Sequence, residues 1–232
     1  MKLPFQSPKP RPISLARLRL RLRLPLRRFF RADGGSVAIE TVLIAPLMLL
    51  LLLGFTEIYL YMRAVSIVER TAFTLANSVG QMTQVINDQS TSNASNLGAV
   101  WQAASVIAAP VDLQANGGVI LTSICDTTSS CGANVVQMIP PTKGSPTIAW
   151  TQKASWMGKN APSSRISSST LLPTGWPFYG GDSATAVEVF YTYTPFAMTA
   201  PFWSDAPLTQ TIYKVVYVRQ RSGLPLKLAT SG

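Results

Sequence analysis

Histidine is absent from this chain, cysteine occurs twice, and acidic residues are missing from its first 32 positions. Without histidine there is no Ser-His-Asp or Cys-His nucleophile arrangement, no imidazole metal ligand and no imidazole acid/base chemistry. No Gly-rich phosphate loop and no convergent carboxylate pair is visible either, so the sequence offers no catalytic site, no cofactor and no small-molecule substrate. The two cysteines, Cys125 and Cys131, lack the paired CxxC knuckles of a zinc site, and no metal site is expected. A close pair in a neutral, Ser/Thr/Asn-rich stretch suits one disulfide in an oxidising compartment, with two buried free thiols as the alternative. The missing acids matter because residues 1–32 carry ten Lys or Arg, leaving ten bases against ten acids in the remainder. The net charge of +10 is therefore a property of the N-terminal segment, and the body of the protein is neutral. That segment contains LARLRLRLRLPLRRFFR, which has few aromatics and abuts a long apolar run. It reads as a topogenic flank touching anionic headgroups, not as a nucleic-acid arm. Pro4, Pro8, Pro10 and Pro12 mark the first dozen residues as extended or disordered.

What the chain has in abundance is leucine in one place. Thr41 to Thr56 reads TVLIAPLMLLLLLGFT without a charge, between Glu40 and Glu57, and apolar character resumes through Ile58 to Met62. A helix from Val37 to Tyr61 is long enough to cross a hydrocarbon core of about 30 Å. Phe29 and Phe30 lie at one interface and Tyr59 and Tyr61 at the other, while Pro46 falls inside the span as a candidate kink. Glu57 is placed at the outer water interface, where a charge needs no partner. The bases are dense before the span and thin out to Arg63 and Arg70 after it, which puts the N-terminus in the cytoplasm. A cleaved signal peptide is disfavoured because the leucine run passes straight into Gly54-Phe-Thr-Glu-Ile-Tyr, with no small-residue cleavage site. A single-pass envelope protein with its C-terminal head on the far side of the membrane is expected.

Beyond the span, Val65, Val68, Ala72, Leu75, Val79, Met82 and Ile86 recur at intervals of three and four, predicting an amphipathic helix. The organisation read from the sequence is a basic leader over 1–35, a transmembrane helix over 36–61, an amphipathic helix over 62–90 and a head over 91–232. The amphipathic helix can lie on a sheet or pack on copies of itself, and the two are compatible. A second helix is predicted from Asn96 to Ala109, ended by Pro110. Strands are predicted at 117–125, 133–139, 146–152, 184–196 and 208–221, because the apolar period changes to two between Gly, Pro, Ser and Asn clusters. Strands following helices, with no helix between them, predict an α+β fold with an antiparallel sheet. Residues 154–183 read as a long surface loop, and Cys125 and Cys131 as a clamp on the loop joining the first two strands.

The segment DGGSVAIETVLIAPLMLLLLLGFTEIYLYMRAV resembles the start of TadE-like proteins, the pseudopilins of tight-adherence (Flp) pilus systems. The shared pattern is Gly35, four small or apolar residues, Glu40, an apolar helix with Pro46, and Glu57 beyond the leucine run. Weaker likeness lies in VEVFYTYTP (187–195) and YVRQR (217–221), which resemble the aromatic strand and basic final strand of such heads. The strong likeness covers about residues 33–75. It implies a pilin-like architecture and cleavage by a prepilin peptidase between Gly35 and Ser36, leaving Glu40 as the fifth residue of the mature chain. It also implies other pilins or pseudopilins as partners beside the lipid bilayer, and no enzymatic activity. Thr41 departs from the family, where Phe or Tyr usually follows the glutamate.

Two other functions are compatible with fragments of the sequence. Asp88, Ser90 and Ser92 match a DxSxS metal motif, as in an adhesive domain of the TadG-like kind. The motif follows a helical stripe and sits among Asn and Ser, where such a domain requires a hydrophobic strand. A membrane-anchored enzyme is the other, and it lacks the residues named above.

Overall fold

The computed structural model describes residues 35–127, 131, 142–158, 162–199, 201, 205 and 209–230. Its elements are α1 (Gly35–Val79), β1 (Gln84–Asn87), α2 (Leu97–Ile107), α3 (Leu113–Asn116), β2 (Gly117–Asp126), β3 (Pro146–Lys153), β4 (Ser183–Tyr193), β5 (Gln210–Val218) and β6 (Lys227–Thr230). The fold is α+β: a long apolar N-terminal helix followed by a small domain with an antiparallel sheet. The chain divides into two compact units, Met1–Leu53 and Gly54–Gly232.

In the first unit, α1 exposes its apolar side chains, Val42, Leu43, Leu47, Leu49 and Leu52 among them. None of the apolar window of this helix is buried by protein, so its composition is that of a span in lipid. Pro46 sits inside the helix. A proline there lacks one backbone donor, which membrane helices tolerate.

In the second unit α1 changes character. Glu57, Ala64, Val68, Ala72, Leu75 and Val79 are buried at spacings of three, four or seven, while Glu69, Arg70, Phe73 and Asn77 face outward. That is one helical stripe. Val68, Ala72, Leu75 and Val79 share a core with Leu97, Trp101 and Ala104 of α2 and with Val119, Leu121, Val187 and Val189 of the sheet. Each fully buried Leu or Val contributes about 1.5–3 kcal/mol.

The sheet has the order β3-β2-β4-β5, all antiparallel. Residues two apart share a face, so Ala184, Ala186 and Glu188 of β4 point away from the side that carries Val187 and Val189. That second face is covered by Ile166 and Leu171, which pack with Ile124, Ala184 and Ala186. The stretch read as a surface loop over 154–183 therefore contributes a covering layer through Ile166 and Leu171, buries Phe178, and sends Ala154 and Met157 into the first core.

Other expectations change in detail. The helix predicted over 62–90 ends at Val79, and Val85 and Ile86 belong to β1, which pairs in parallel with β6. Gly80 follows the helix because a Cβ there would meet Val218 Cγ2 at 2.9 Å and the Ala76 carbonyl at 3.1 Å. The Met82 and Ile86 spacing matched a helical period, but in β1 it is Val85 that enters the core and Ile86 is half-buried. The predicted strand 184–196 stops at Tyr193, before Pro195, and the strand 208–221 is Gln210–Val218. The strand predicted at 133–139 lies outside the described residues.

Candidate functional site

The buried stripe of α1 begins with a carboxylate, and this is the feature the sequence reading missed. Glu57 is 3% exposed and needs partners, contrary to its placement as a free charge at the water interface. Its Oε1 accepts hydrogen bonds from the backbone N–H of Met198 at 2.6 Å and of Thr199 at 3.1 Å, and its Oε2 accepts from the Thr199 hydroxyl. These donors come from the turn after β4. Phe196 adopts a φ of 59° there, and the Thr199 N–H also reaches the Phe196 carbonyl at 3.2 Å. A non-glycine residue in the left-handed region costs about 1–2 kcal/mol. The reversal turns two successive N–H groups toward one anion, a nest-like arrangement. Hydrogen bonds to a charged acceptor contribute about 1.5–3 kcal/mol each, which offsets the strained turn and much of the carboxylate's burial. One turn along the helix, Tyr61 packs on Tyr193 with ring centroids 5.7 Å apart. Burial, and then the charge of Glu57, raises the Tyr193 phenol above its ordinary value.

The far end of α1's head segment is held by the final basic motif. With its amide oriented to match its partners, Gln220 donates to the carbonyls of Val79, Gly80 and Met82 and accepts from the Thr185 hydroxyl at 2.6 Å. The Arg221 N–H reaches the Gly80 carbonyl at 2.9 Å, and its guanidinium reaches Asn77 Oδ1 at 3.0 Å. Carbonyls at a helix C-terminus lack intrahelical donors, and these groups supply them. Arg219 pairs with the buried Asp182 at 3.1 Å and also donates to the Pro177 carbonyl. The weak likeness at 217–221 thus coincides with the residues that fix α1 and the covering layer.

A second buried carboxylate, Glu188 of β4, accepts from the Arg165 N–H at 2.8 Å, the Tyr213 hydroxyl at 3.0 Å and the Ser164 hydroxyl. The Arg165 guanidinium lies 4.3 Å over the Tyr213 ring. The sequence held one signal for it: an acid in register with Ala184 and Ala186 on a covered strand face.

The N-terminal residues of interest are placed more simply. Gly35 is the first residue of α1, followed by Ser36 and Val37. Glu40 is exposed, and it joins neither of the ion pairs found among the described residues, Lys214–Glu69 and Arg219–Asp182. Gly54 has open space where a Cβ would stand. Cys125, at the end of β2, is joined to Cys131 by a disulfide with a Cα–Cα distance of 5.4 Å. The Asp88 motif follows β1, a strand, and closes on itself. Ser90 donates through its N–H and its hydroxyl to Asp88, and the Asn96 amide donates to Asp88 Oδ2 at 3.1 Å and to Ser90 Oγ at 2.8 Å. The Ser90 N–H and hydroxyl bonds hold the Asp88 carboxyl below its ordinary range. Asn96, the N-cap of α2, makes no side-chain cap bond because its amide is committed to this loop.

The family model of TadE-like proteins matches residues 35–76. No curated protein matches the chain, and no solved structure does.

Proposed function

We propose that the chain is a minor pseudopilin or a membrane-anchored assembly factor of a tight-adherence pilus, non-enzymatic, with its N-terminus in the cytoplasm and its head outside the inner membrane. The observation that carries this reading is the extent of the family match. It runs from the first residue of α1 through Glu40, the leucine run and Glu57, and on to Ala76 in the buried stripe. The matched segment is thus an apolar anchor together with the helix on which the head is built, which is what a subunit held in a membrane before or during assembly requires. Processing between Gly35 and Ser36 by a prepilin peptidase, and pairing with other pilins through the exposed apolar helix, belong to the same proposal.

The test is made in the native host. Deleting the gene should abolish or shorten the pili, and complementation with the full chain should restore them. A phosphatase reporter fused after Arg221 should be active and a cytoplasm-restricted fluorescent reporter dark. Normal piliation in the deletion strain, or the reverse reporter result, overturns the proposal.

A further inference from the structure

The carboxylate of Glu57 is buried by protein, and it stands where a span begun at Ala38 would leave lipid. Counting from Ala38, twenty residues at 1.5 Å each make about 30 Å, the thickness of a hydrocarbon core, and end at Glu57. A carboxylate at that boundary could reach outward to headgroups and water. Instead it turns to the head side of the helix and is closed over by the turn 194–199. Met198, whose N–H lies 2.6 Å from Glu57 Oε1, exposes 46% of its own side chain, and Ala197 beside it is exposed. On the helix at the same level, Phe55, Ile58 and Tyr59 are exposed. One turn further out come Tyr61 and Tyr193, then the exposed Arg63. Apolar side chains, then tyrosines, then a base follow the order of the outer boundary of a bilayer: acyl chains, interface, phosphates.

We infer that the turn 194–199 is a second membrane contact, pinned to α1 by Glu57, which seats Met198 in the outer interfacial layer of the bilayer. The occupant of this apolar collar is lipid, because its helical residues Phe55, Ile58 and Tyr59 follow the leucine run directly along α1 and the collar carries the interfacial order of residue types. The head therefore rests on the membrane, and the Glu57 bonds hold it there at one depth. This rests on α1 being a membrane span, and the experiment separates the two.

Full-length protein carrying one added cysteine, its native pair left oxidised, is labelled with an environment-sensitive fluorophore. It is reconstituted in phosphatidylethanolamine/phosphatidylglycerol vesicles containing lipids with a nitroxide near the top of the acyl chain. Labels are placed at Met198→Cys, at Ala197→Cys as a second probe of the turn, at Leu50→Cys inside the span, and at Gln81→Cys beyond the far end of α1. The expected result is a blue-shifted emission, strongly quenched by the nitroxide lipid, at 198 or 197 and no quenching at 81. Quenching at 50 with both turn labels as wet and unquenched as 81 overturns the inference while leaving the span intact. No shift at 50 overturns the span itself, and the inference with it. A blue shift at 198 that follows the protein-to-lipid ratio and ignores the nitroxide assigns the collar to a second copy of the chain, and also overturns it.

Discussion

Glu57 and Thr199 stand 142 residues apart in sequence and share two hydrogen bonds, one through the threonine N–H and one through its hydroxyl. A buried donor left without an acceptor costs about 1–3 kcal/mol, and Glu57→Leu would strand the Met198 N–H and the Thr199 hydroxyl, while the Thr199 N–H keeps the Phe196 carbonyl. The expected destabilisation is about 2–4 kcal/mol, with Thr199→Val near 1 kcal/mol, since it removes one bond and keeps the N–H pair. Glu57→Gln should fall between them, its amide offering one acceptor oxygen and one misplaced donor group. Thermal unfolding of the full chain in detergent micelles measures the series. Equal stability of wild type and Glu57→Leu would remove the carboxylate from any structural role.

How far this pair could have been read from the sequence follows from what a sequence displays. The span shows itself because sixteen uncharged residues are a local, one-dimensional signal. Glu57 is just as visible, but its partners are backbone N–H groups in a distant turn, and no residue pattern announces them. The helix end at Val79 was obscured for a different reason: Met82 and Ile86 continue a three-and-four spacing that a short strand also satisfies. Ile166 and Leu171 were hidden by their Ser-rich surroundings, which read as loop although they cover a sheet face. The antiparallel strands were legible because Val187 and Val189 alternate with residues of the opposite face.

The tyrosines predict an alkaline limit to stability. Burial, then the charge of Glu188, raises the phenols of Tyr213 and Tyr217 above the ordinary value of 10, and burial also raises Tyr191 and Tyr193. A phenol whose folded pKa is raised keeps its proton longer in the native state than in the unfolded one. Its contribution is thus fully present below pH 10 and is lost as pH climbs through the folded values. Denaturant unfolding should show stability falling above pH 10, with tyrosinate absorbance developing together with unfolding. Tyr213→Phe should flatten that fall while lowering stability near neutrality, because Glu188 loses a donor. A pH-independent stability through this range contradicts the burial of these rings.

The Cys125–Cys131 bond closes a short loop, with a sequence separation of six. Chain-entropy reasoning assigns such a loop about 2 kcal/mol. Reduction, or the double Cys→Ser variant, should lower the stability of the head by that order without unfolding it, since β2 stays paired on both sides with β3 and β4. Alkylation and mass spectrometry of protein taken from the envelope should find neither thiol free without reductant. Complete labelling of both in unreduced samples would show that the bond does not form in the cell.

Processing gives the sharpest separation between a pseudopilin and an unprocessed anchor. Gly35 opens α1, and in the proposed topology it stands on the cytoplasmic face, within reach of a prepilin peptidase. A glycine offers no side chain to obstruct its approach. Cutting after Gly35 leaves the new amine on Ser36, four residues before Glu40, which is one helical turn. Glu40 is an exposed acid on an apolar helix and joins neither ion pair found among the described residues. A carboxylate in that setting is costly, and the amine created by cleavage, on the same or a neighbouring subunit, can offset the cost. Co-expression with the peptidase should yield a membrane-bound chain whose N-terminal sequence begins at Ser36, and Gly35→Leu should retain the arginine-rich leader. Glu40→Ala should be cut normally yet fail to enter pili, because what it lacks is the partner of the new amine and not the cleavage site. Normal cleavage together with normal assembly of Glu40→Ala would dissolve that pairing, and an intact leader in the wild type would leave a TadE-like anchor that is never processed.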